Sequence, residues 1–428
     1  AAGYSSSTAG TSNYIAGVNA GNSITAGGNY NVTVGDEAGT AITTGDSNTA
    51  VGFEALATED TASRNTAIGF RSLKTNNGGD NNTAVGENSG TAVTTGHNNT
   101  LIGQDAGEAL TDADYNTALG SDALQSDTLG SKSTAVGAAA LSTQNFTSAT
   151  DSHNTAVGYE AGKAVTTGQY NTLVGSLTGD AMTTGENNVA MGQDALTTNV
   201  AGDNVVAIGN EAAQLLNPSG NVDMNGVYIG YQAGDEVTTG RHNTVIGALT
   251  ANALTTGSNN LLLGTTAGNA DQPGGSISTG GGQIVLGNAS STNAHIQIDW
   301  TVASDERDKT DFTALDLGLD FVKELEPVTY KWDKRAKYGN DISTITHDGT
   351  HKEDWLDVGF KAQAVEVLEK AAGYKIADKT NLTTSLTDDG KQYGLQYSKF
   401  VPILVKALQE LSEKNDALES RLAALEAE

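Results

Sequence analysis

Two residue types that together can cut a peptide bond lie five positions apart near the start of a charged C-terminal region. The chain reads S-D-E-R-D-K from Ser304 to Lys309. A serine hydroxyl becomes an effective nucleophile when a neighbouring base takes its proton, and a lysine amine can be that base only when burial or nearby cations favour its neutral form. A serine followed by a lysine at this spacing is common on polar surfaces, so the pair gains meaning only from its surroundings.

The other residues that could take part in catalysis or metal binding do not form a recognisable pattern. Asp105, Glu160 and Asp194 lie in repeat positions and not in one cleft, so we expect no carboxylate pair of the kind that cleaves glycans. His347 and His351 would meet only on a helix, and the Asp348-Gly349 pair favours a turn. The six histidines are scattered at positions 97, 153, 242, 295, 347 and 351.

Cofactor and metal sites are not expected. The chain has no cysteine, which excludes a disulfide framework and a thiolate zinc or iron–sulfur site. The Gly-rich nonapeptide repeat of calcium-binding β-helices is also missing.

Charge and composition divide the chain near residue 304. Residues 304–428 hold 17 Lys and Arg with 25 Asp and Glu, whereas residues 1–303 hold 6 and 26. The formal net charge of −28 argues against nucleic acid as a partner, and no apolar run reaches the length of a membrane helix. We therefore predict a Gly-rich body followed by an ordinary charged domain, with no membrane insertion.

The body is a repeat array with a period of mostly 17 residues. Its unit reads N-T-x-(I/V/L)-G, as in Asn65–Gly69 and Asn116–Gly120, and a small residue follows each of the first fourteen repeat glycines after three positions. The repeat glycines are Gly35, Gly52, Gly69, Gly86, Gly103, Gly120, Gly137, Gly158, Gly175, Gly192, Gly209, Gly230, Gly247, Gly264 and Gly287.

This unit predicts a short strand and a turn in every coil. Thr66 and Ile68 alternate with Ala67, which is the period of a β-strand, and T-T-G-x-N is typical of a turn in which Gly can adopt a positive φ. One unit buries almost nothing alone, so copies must stack as a mainly β, parallel β-solenoid of about 15 coils. Because so small a coil has a thin core of Val, Ile, Leu and Ala, we expect several chains to share the core.

The repeats resemble the heads of trimeric autotransporter adhesins, whose N-(S/T)-x-A-(I/L)-G units form a parallel β-roll. The resemblance covers about residues 31–287 and implies a left-handed roll in each chain of a trimer. Insertions interrupt the array at Asn145-Phe146, at Leu215–Pro218 and at Gln272–Gly275. Such insertions emerge as loops on one face, where they either bind a partner or are tolerated surface variation.

The region from residue 304 carries further motifs, and together they resemble the endosialidase-type intramolecular chaperone of phage tail spikes and fibres. They are L-E-P-V-T-Y-K-W at 325–332, V-G-F-K-A-Q-A-V-E-V-L at 358–368 and Y-S-K-F-V-P-I-L-V-K-A-L-Q-E-L at 397–411. The resemblance implies self-cleavage between Ala303 and Ser304, with Ser304 as nucleophile and Lys309 as base. Asp305 and Arg307 match the remaining positions of the family's S-(D/N)-x-R-x-K motif.

The final stretch, residues 401–428, predicts a coiled coil. Apolar residues step by three and four, which places them at the core positions a and d of heptads. Asn415 occupies an a position, where it costs stability but can fix the register. The core positions are Val401, Leu404, Leu408, Leu411, Asn415, Leu418, Leu422 and Leu425.

These features predict four segments. Residues 1–30 form a degenerate N-terminal coil or cap, 31–287 the solenoid, 288–303 a neck, and 304–428 a small α+β chaperone and autoprotease domain.

The favoured function is a homotrimeric phage tail fibre that binds a host cell-surface receptor, expected to be a glycan. Autocleavage by the Ser–Lys pair is then the chain's only enzymatic activity. Because the chain begins with Ala1, we expect an upstream region that joins the phage tail, with assembly in the host cytoplasm and final location in the virion. A polysaccharide-degrading tail spike and a bacterial trimeric surface adhesin are the alternatives.

Overall fold

The computed structural model describes residues 9–270, 272, 274–297, 301–338 and 346–427. It divides the chain into two compact units. The N-terminal unit comprises Ala1–Gly268 and Ser278–Leu286, and the C-terminal unit comprises Asn269–Ile277 and Gly287–Glu428. Residues 1–8 of the expected N-terminal cap and Pro273 of the third insertion lie outside the described residues.

The N-terminal unit is a parallel β-solenoid in which each coil contributes one short strand to a continuous sheet. Sixteen strands form this sheet, each paired in parallel with the strand of the next coil. The predicted parallel solenoid of about 15 turns with a 17-residue period is thereby confirmed. The strands are β1 (Tyr14–Ala16), β2 (Val32–Val34), β3 (Thr49–Val51), β4 (Thr66–Ile68), β5 (Thr83–Val85), β6 (Thr100–Ile102), β7 (Thr117–Leu119), β9 (Thr134–Val136), β11 (Thr155–Val157), β12 (Thr172–Val174), β13 (Val189–Met191), β14 (Gly202–Ile208), β15 (Val222–Ile229), β16 (Thr244–Ile246), β17 (Leu261–Leu263) and β18 (Ile284–Leu286).

Each strand turns its central residue into the solenoid and its two neighbours outward. In β4, Ala67 is completely buried, whereas Thr66 is half-buried and Ile68 is exposed. The inward position is Ala in this coil, whereas Leu101, Leu173 and Tyr228 fill it completely buried in other coils.

The repeat glycine is required by both backbone conformation and space. Gly103 adopts φ +138°, and a Cβ atom there would lie 2.3 Å from the carbonyl oxygen of Gly120 in the next coil. The expected turn glycine is therefore in place, since a side chain would have to displace backbone atoms of the next coil.

The glycine of the T-T-G turn has a different role from the one its sequence predicts. Gly96 is not among the residues with positive φ; Asn98, two residues later, adopts φ +59° instead. A Cβ atom on Gly96 would lie 2.4 Å from the carbonyl oxygen of Ala113. The prediction of positive φ at this glycine was wrong, and close coil-to-coil approach explains the residue instead.

The repeat asparagine forms a buried ladder that links successive coils. Oδ1 of Asn82 accepts the backbone N–H of Asn99 at 2.9 Å, and its Nδ2 donates to the carbonyl oxygen of Gly96 at 2.7 Å. The same two contacts recur through Asn65, with Asn82 and Gly79 as partners. A buried backbone group without a partner is costly, so this amide side chain satisfies groups that the turn would otherwise leave unpaired.

The interior beside the sheet is filled in two ways. Some coils have Gly four residues after the repeat Gly and an apolar residue three further on, as in the pair Gly39 and Ile42. Other coils have Leu four residues after the repeat Gly and a buried polar residue three further on, as in Leu56 with Glu59 and Leu73 with Asn76. Because a Cβ atom on Gly39 would lie 2.9 Å from Cδ1 of Ile42, the two positions share one volume.

The first two insertions carry buried as well as exposed residues. In the first, β8 (Gly130–Ser131) pairs in parallel with β10 (Thr150–Asp151), and Phe146 is buried. In the second, Leu216 is buried and Leu215 is exposed.

The third insertion belongs to the C-terminal unit. The backbone N–H of Ser276 donates to Oδ2 of Asp389 at 3.1 Å, and Oε1 of Gln272 accepts the N–H of Ala289 at 2.7 Å.

The C-terminal unit is a small α+β domain with two antiparallel strand pairs and a long final helix. β19 (Val328–Tyr330) pairs with β20 (Asp357–Gly359), and β21 (Thr384–Leu386) pairs with β22 (Tyr393–Leu395). The elements are a 3-10 helix (Glu306–Asp308), α1 (Leu319–Glu324), β19 (Val328–Tyr330), a 3-10 helix (Arg335–Lys337), β20 (Asp357–Gly359), α2 (Ala362–Ala371), β21 (Thr384–Leu386), β22 (Tyr393–Leu395), a 3-10 helix (Tyr397–Lys399) and α3 (Phe400–Glu426).

The start of α3 is anchored to this domain through one side of the helix. Phe400 is buried and stacks on Phe360, with ring centroids 5.4 Å apart. Ile403 and Ala407 are buried on the same side of the helix. Oε2 of Glu410 accepts the backbone N–H of Leu319 at 2.8 Å, which links α3 to the first turn of α1.

Candidate functional site

The segment around Ser304 is shaped by a single turn of 3-10 helix. Asp305 caps this turn, because its Oδ1 accepts the backbone N–H of Arg307 at 2.9 Å. The N–H groups of Asp308 and Lys309 donate to the carbonyl oxygens of Asp305 and Glu306 at 3.2 and 3.1 Å. The tight turn reverses the chain direction between Ser304 and Lys309.

The structure brings the predicted nucleophile and base into direct contact. Nζ of Lys309 lies 2.6 Å from Oγ of Ser304 and 3.1 Å from the carbonyl oxygen of the same residue. A heavy-atom separation of this size permits proton transfer between hydroxyl and amine. Ala303, on the other side of the bond expected to break, is exposed like Ser304 and Lys309.

The two supporting motif residues form an ion pair beside this contact. Nη2 of Arg307 lies 2.6 Å from Oδ2 of Asp305, and its Nε donates to Oδ1 at 3.0 Å. Hydrogen bonds from the guanidinium and then from the Arg307 backbone N–H hold the pKa of the Asp305 carboxyl below its usual value. Asp305 is therefore an anion that orients the turn, and Arg307 is held by Asp305 and not by Ser304.

The predicted heptad residues form an exposed stripe on α3. Six of its leucines and Val401 are between 50% and 68% exposed, whereas Phe400, Ile403 and Ala407 on another side of the helix are buried. Nδ2 of Asn415 donates to Oε1 of Glu419 within the helix at 3.1 Å. An apolar stripe of this length on a single chain is the arrangement from which helices associate. The exposed stripe consists of Val401, Leu404, Leu408, Leu411, Leu418, Leu422 and Leu425.

Other candidate groups lie apart from this segment. Asp105, Glu160 and Asp194 occupy the same position of three separate coils, two residues after the repeat Gly. Nδ1 of His347 lies 3.3 Å from Oδ2 of Asp333, and His351 packs edge-on against Tyr338. Within the described ranges, no group of three or more His, Asp or Glu side chains is placed to hold a metal ion. The described helices include none long and apolar enough to cross a membrane.

Sequence comparison assigns the region that begins at this site. Residues 304–374 match the family model described as chaperone of endosialidase, and the match starts at Ser304 itself. No curated protein matches the chain. The resemblance found in the C-terminal motifs is thus confirmed for residues 304–374.

The combination of units defines a class of protein. A parallel β-solenoid that precedes an endosialidase chaperone domain fits a protein of the phage tail fibre or tail spike type.

Proposed function

We propose that the chain is a homotrimeric phage tail fibre whose C-terminal domain directs assembly and then releases itself by cutting the Ala303–Ser304 bond. The observation that carries the proposal is the 2.6 Å contact between Nζ of Lys309 and Oγ of Ser304 at the first residue of the chaperone match. The contact supports the assignment of a nucleophile and a base at the junction where the resemblance expects the cut.

The proposed reaction begins with attack of Ser304 Oγ on the carbonyl carbon of Ala303. Neutral Lys309 takes the hydroxyl proton and passes it to the departing amide nitrogen of Ser304, so an ester to Oγ replaces the peptide bond. Water then hydrolyses the ester and releases the carboxyl group of Ala303. No oxidant, metal or cofactor enters this balance.

Assembly provides the switch for this reaction. Ser304 and Lys309 are exposed in the single chain and are therefore not desolvated there. Burial against a neighbouring chain disfavours the charged amine and excludes competing water. Cleavage therefore follows trimer formation, and the chaperone remains attached until its work is complete.

The released body serves as the host-recognition part of the fibre. Its partners are two further copies of itself, a glycan receptor on the host surface and, through an upstream region, the phage tail. The protein is made in the host cytoplasm and ends in the virion.

Variants of the two reacting residues test the proposal. Ser304→Ala removes the nucleophile and Lys309→Ala removes the base, so both chains should remain uncut while wild type yields two fragments on mass spectrometry. Both variants should still assemble, since the chaperone acts through its shape. Lys323→Ala is the matched control, because Lys323 is another exposed lysine of the same unit. Within the described residues, its only ion pair is with Asp320.

The outcomes separate the parts of the proposal. Equal cleavage in wild type and Ser304→Ala would contradict the assignment of Ser304 and Lys309 as a catalytic dyad. Loss of cleavage in Lys323→Ala would show that removal of any lysine charge from this unit impairs cleavage. Loss of assembly in Ser304→Ala, measured by light scattering, would contradict the separation of chaperoning from chemistry.

A further inference from the structure

The outward residues of the long sheet form a continuous surface without charge. We define the outer sheet face as the first and third residues of the strand triplet in each coil, such as Thr155 and Val157 beside the buried Ala156. Each triplet pairs in register with the next, as Thr155 does with Thr172 and Val157 with Val174. The face is therefore two columns of side chains that run the length of the sheet.

No residue in these two columns is Asp, Glu, Lys or Arg. The same part of the sequence, residues 1–303, carries 26 acidic and 6 basic residues. The charged residues are placed elsewhere on the coil, for example five residues after the repeat Gly, at Glu108, Lys163, Asp180 and Asp235.

The exposed large apolar residues of the N-terminal unit collect on and beside this face. We define its edge columns as the residue before each repeat Asn and the residue after each repeat Gly or after Gly17 of the first coil. These columns also hold the charged residues Asp36, Arg64 and Glu87. Among the described residues of the unit, only Val200 and Leu215 are exposed large apolar residues outside the face and its edges. The remaining ones are Tyr14, Ile68, Leu119, Val157, Met191, Ile246, Ile284 and Leu286 on the face, with Val18, Tyr30, Phe53, Phe70, Tyr115, Tyr159, Tyr170 and Tyr231 on the edges.

The size of the face suits a stable interface. The face is sixteen strands long, with neighbouring strands about 4.8 Å apart, and about 10 Å wide along the three-residue strands. Its area is therefore roughly 700 Å². The third residues of the triplets form an apolar column and the first residues a column that is mostly Thr. A standard interface buries about 800 Å² per partner, which is close to the area of the two columns together.

The regular spacing of the face selects its partner. A surface whose side chains repeat once per coil is complemented over its whole length only by another surface with the same spacing. A second copy of this chain has that spacing by construction, and its parallel, in-register orientation follows from the proposed trimer. The exposed heptad stripe of α3 independently indicates self-association of the same chain.

We propose that copies of the solenoid pack on one another through the outer sheet face and the aromatic residues at its edges, which leaves most of the charged residues of each coil in water. This assignment rests on the proposed trimer and adds the surface through which the bodies associate.

Cysteine crosslinking of the full-length chain tests the assignment directly. The chain has no native cysteine, so single substitutions report one position each. Val157→Cys places a thiol on the face, and Lys163→Cys places one six residues later in the same coil at an exposed position outside the face and its edges. Both substitutions are made in the Ser304→Ala chain, and assembled protein is treated with a short bismaleimide and run on a denaturing gel.

We expect most of the Val157→Cys chains, and few of the Lys163→Cys chains, to migrate as covalently linked species. Light scattering on the same samples separates the two levels of the proposal. A trimer in which Lys163→Cys links and Val157→Cys does not would overturn the face assignment alone, as would a trimer in which neither links. A monomer would overturn both the trimer and the face.

Discussion

At the scale of single residues, the site depends on a carboxylate that does not react. Asp305 caps the 3-10 turn and forms an ion pair with Arg307. The turn brings Nζ of Lys309 into contact with Oγ of Ser304. We therefore propose Asp305 as a positioning residue, which gives a physical explanation for Asp or Asn at this place in the motif. Both side chains offer an oxygen to the Arg307 backbone N–H, and alanine offers none.

Substitutions at Asp305 should separate capping from charge. Asp305→Ala should slow cleavage by roughly 2- to 30-fold, the range expected when an N-cap is lost. Asp305→Asn should restore most of the rate, because it keeps the acceptor and loses only the exposed ion pair. The measurement is the cleavage rate of assembled protein against pH, and the shape of the pH profile should be unchanged in both variants. Equal rates for Ala and Asn would contradict the capping role.

The sequence predicted the pair of Ser304 and Lys309 but not its geometry. Ser304 and Lys309 were found from a family resemblance, and nothing in their spacing alone distinguishes a turn that joins them from an open strand. The capping bond of Asp305 became visible only with backbone conformation, because Asp is common both in caps and on plain polar surfaces.

At the scale of one coil, the interior accepts one large side chain from either of two positions. Gly39 adopts φ +56° and Leu56 adopts φ +53° at equivalent places, so the backbone is the same in both kinds of coil. The polar partner in the Leu type is only partly satisfied: Nδ2 of Asn76 donates to the carbonyl oxygen of Gly79 at 2.9 Å and to Oε2 of Glu59, whereas its buried Oδ1 has no partner among the described residues. Burial raises the pKa of the Glu59 carboxyl at the corresponding place in the preceding coil.

Substitutions that convert the Gly39–Ile42 pair into the Leu–polar arrangement should affect stability in a way that depends on both positions together. Gly39→Leu should overpack against Ile42 and lower stability by about 1–3 kcal/mol. Ile42→Asn should leave a cavity and cost about 2–5 kcal/mol. The double variant reproduces the Leu73 and Asn76 arrangement, so its thermal unfolding midpoint should lie above that of either single variant. A double variant that unfolds below both would show that the two positions do not share a volume.

Period and strand position were predictable at this scale because stacking repeats the same sequence letters in every coil. The direction of each strand's side chains was less accessible, since a larger Ile68 would be expected inside in preference to Ala67. The T-T-G glycine was misassigned because close approach to the next coil and positive φ both require a residue without Cβ. The alternation between coils with the Gly39–Ile42 pair and coils with the Leu56–Glu59 pair is visible in the sequence. Its reason, that the two positions share one volume inside the coil, is visible only in the structure.

At the scale of the whole molecule, charge and apolar surface are sorted between different sides of the coils. A net charge of −28 opposes association of identical chains through most surfaces, and the outer sheet face is where that repulsion is absent. Under the proposal, this sorting lets acidic chains associate through one face while most of their charged residues stay in water. Cleavage at the junction would remove the domain that aligned the chains, so the stability of the released body becomes kinetic.

The most direct test of the account is the intact mass of wild-type protein recovered as a verified trimer. The account predicts two products, a body of residues 1–303 that ends at Ala303 and a tail of residues 304–428 that begins at Ser304, formed at a rate that does not change on dilution. A wild-type chain that keeps all 428 residues after prolonged incubation as a trimer, or one cut at another bond, would contradict it.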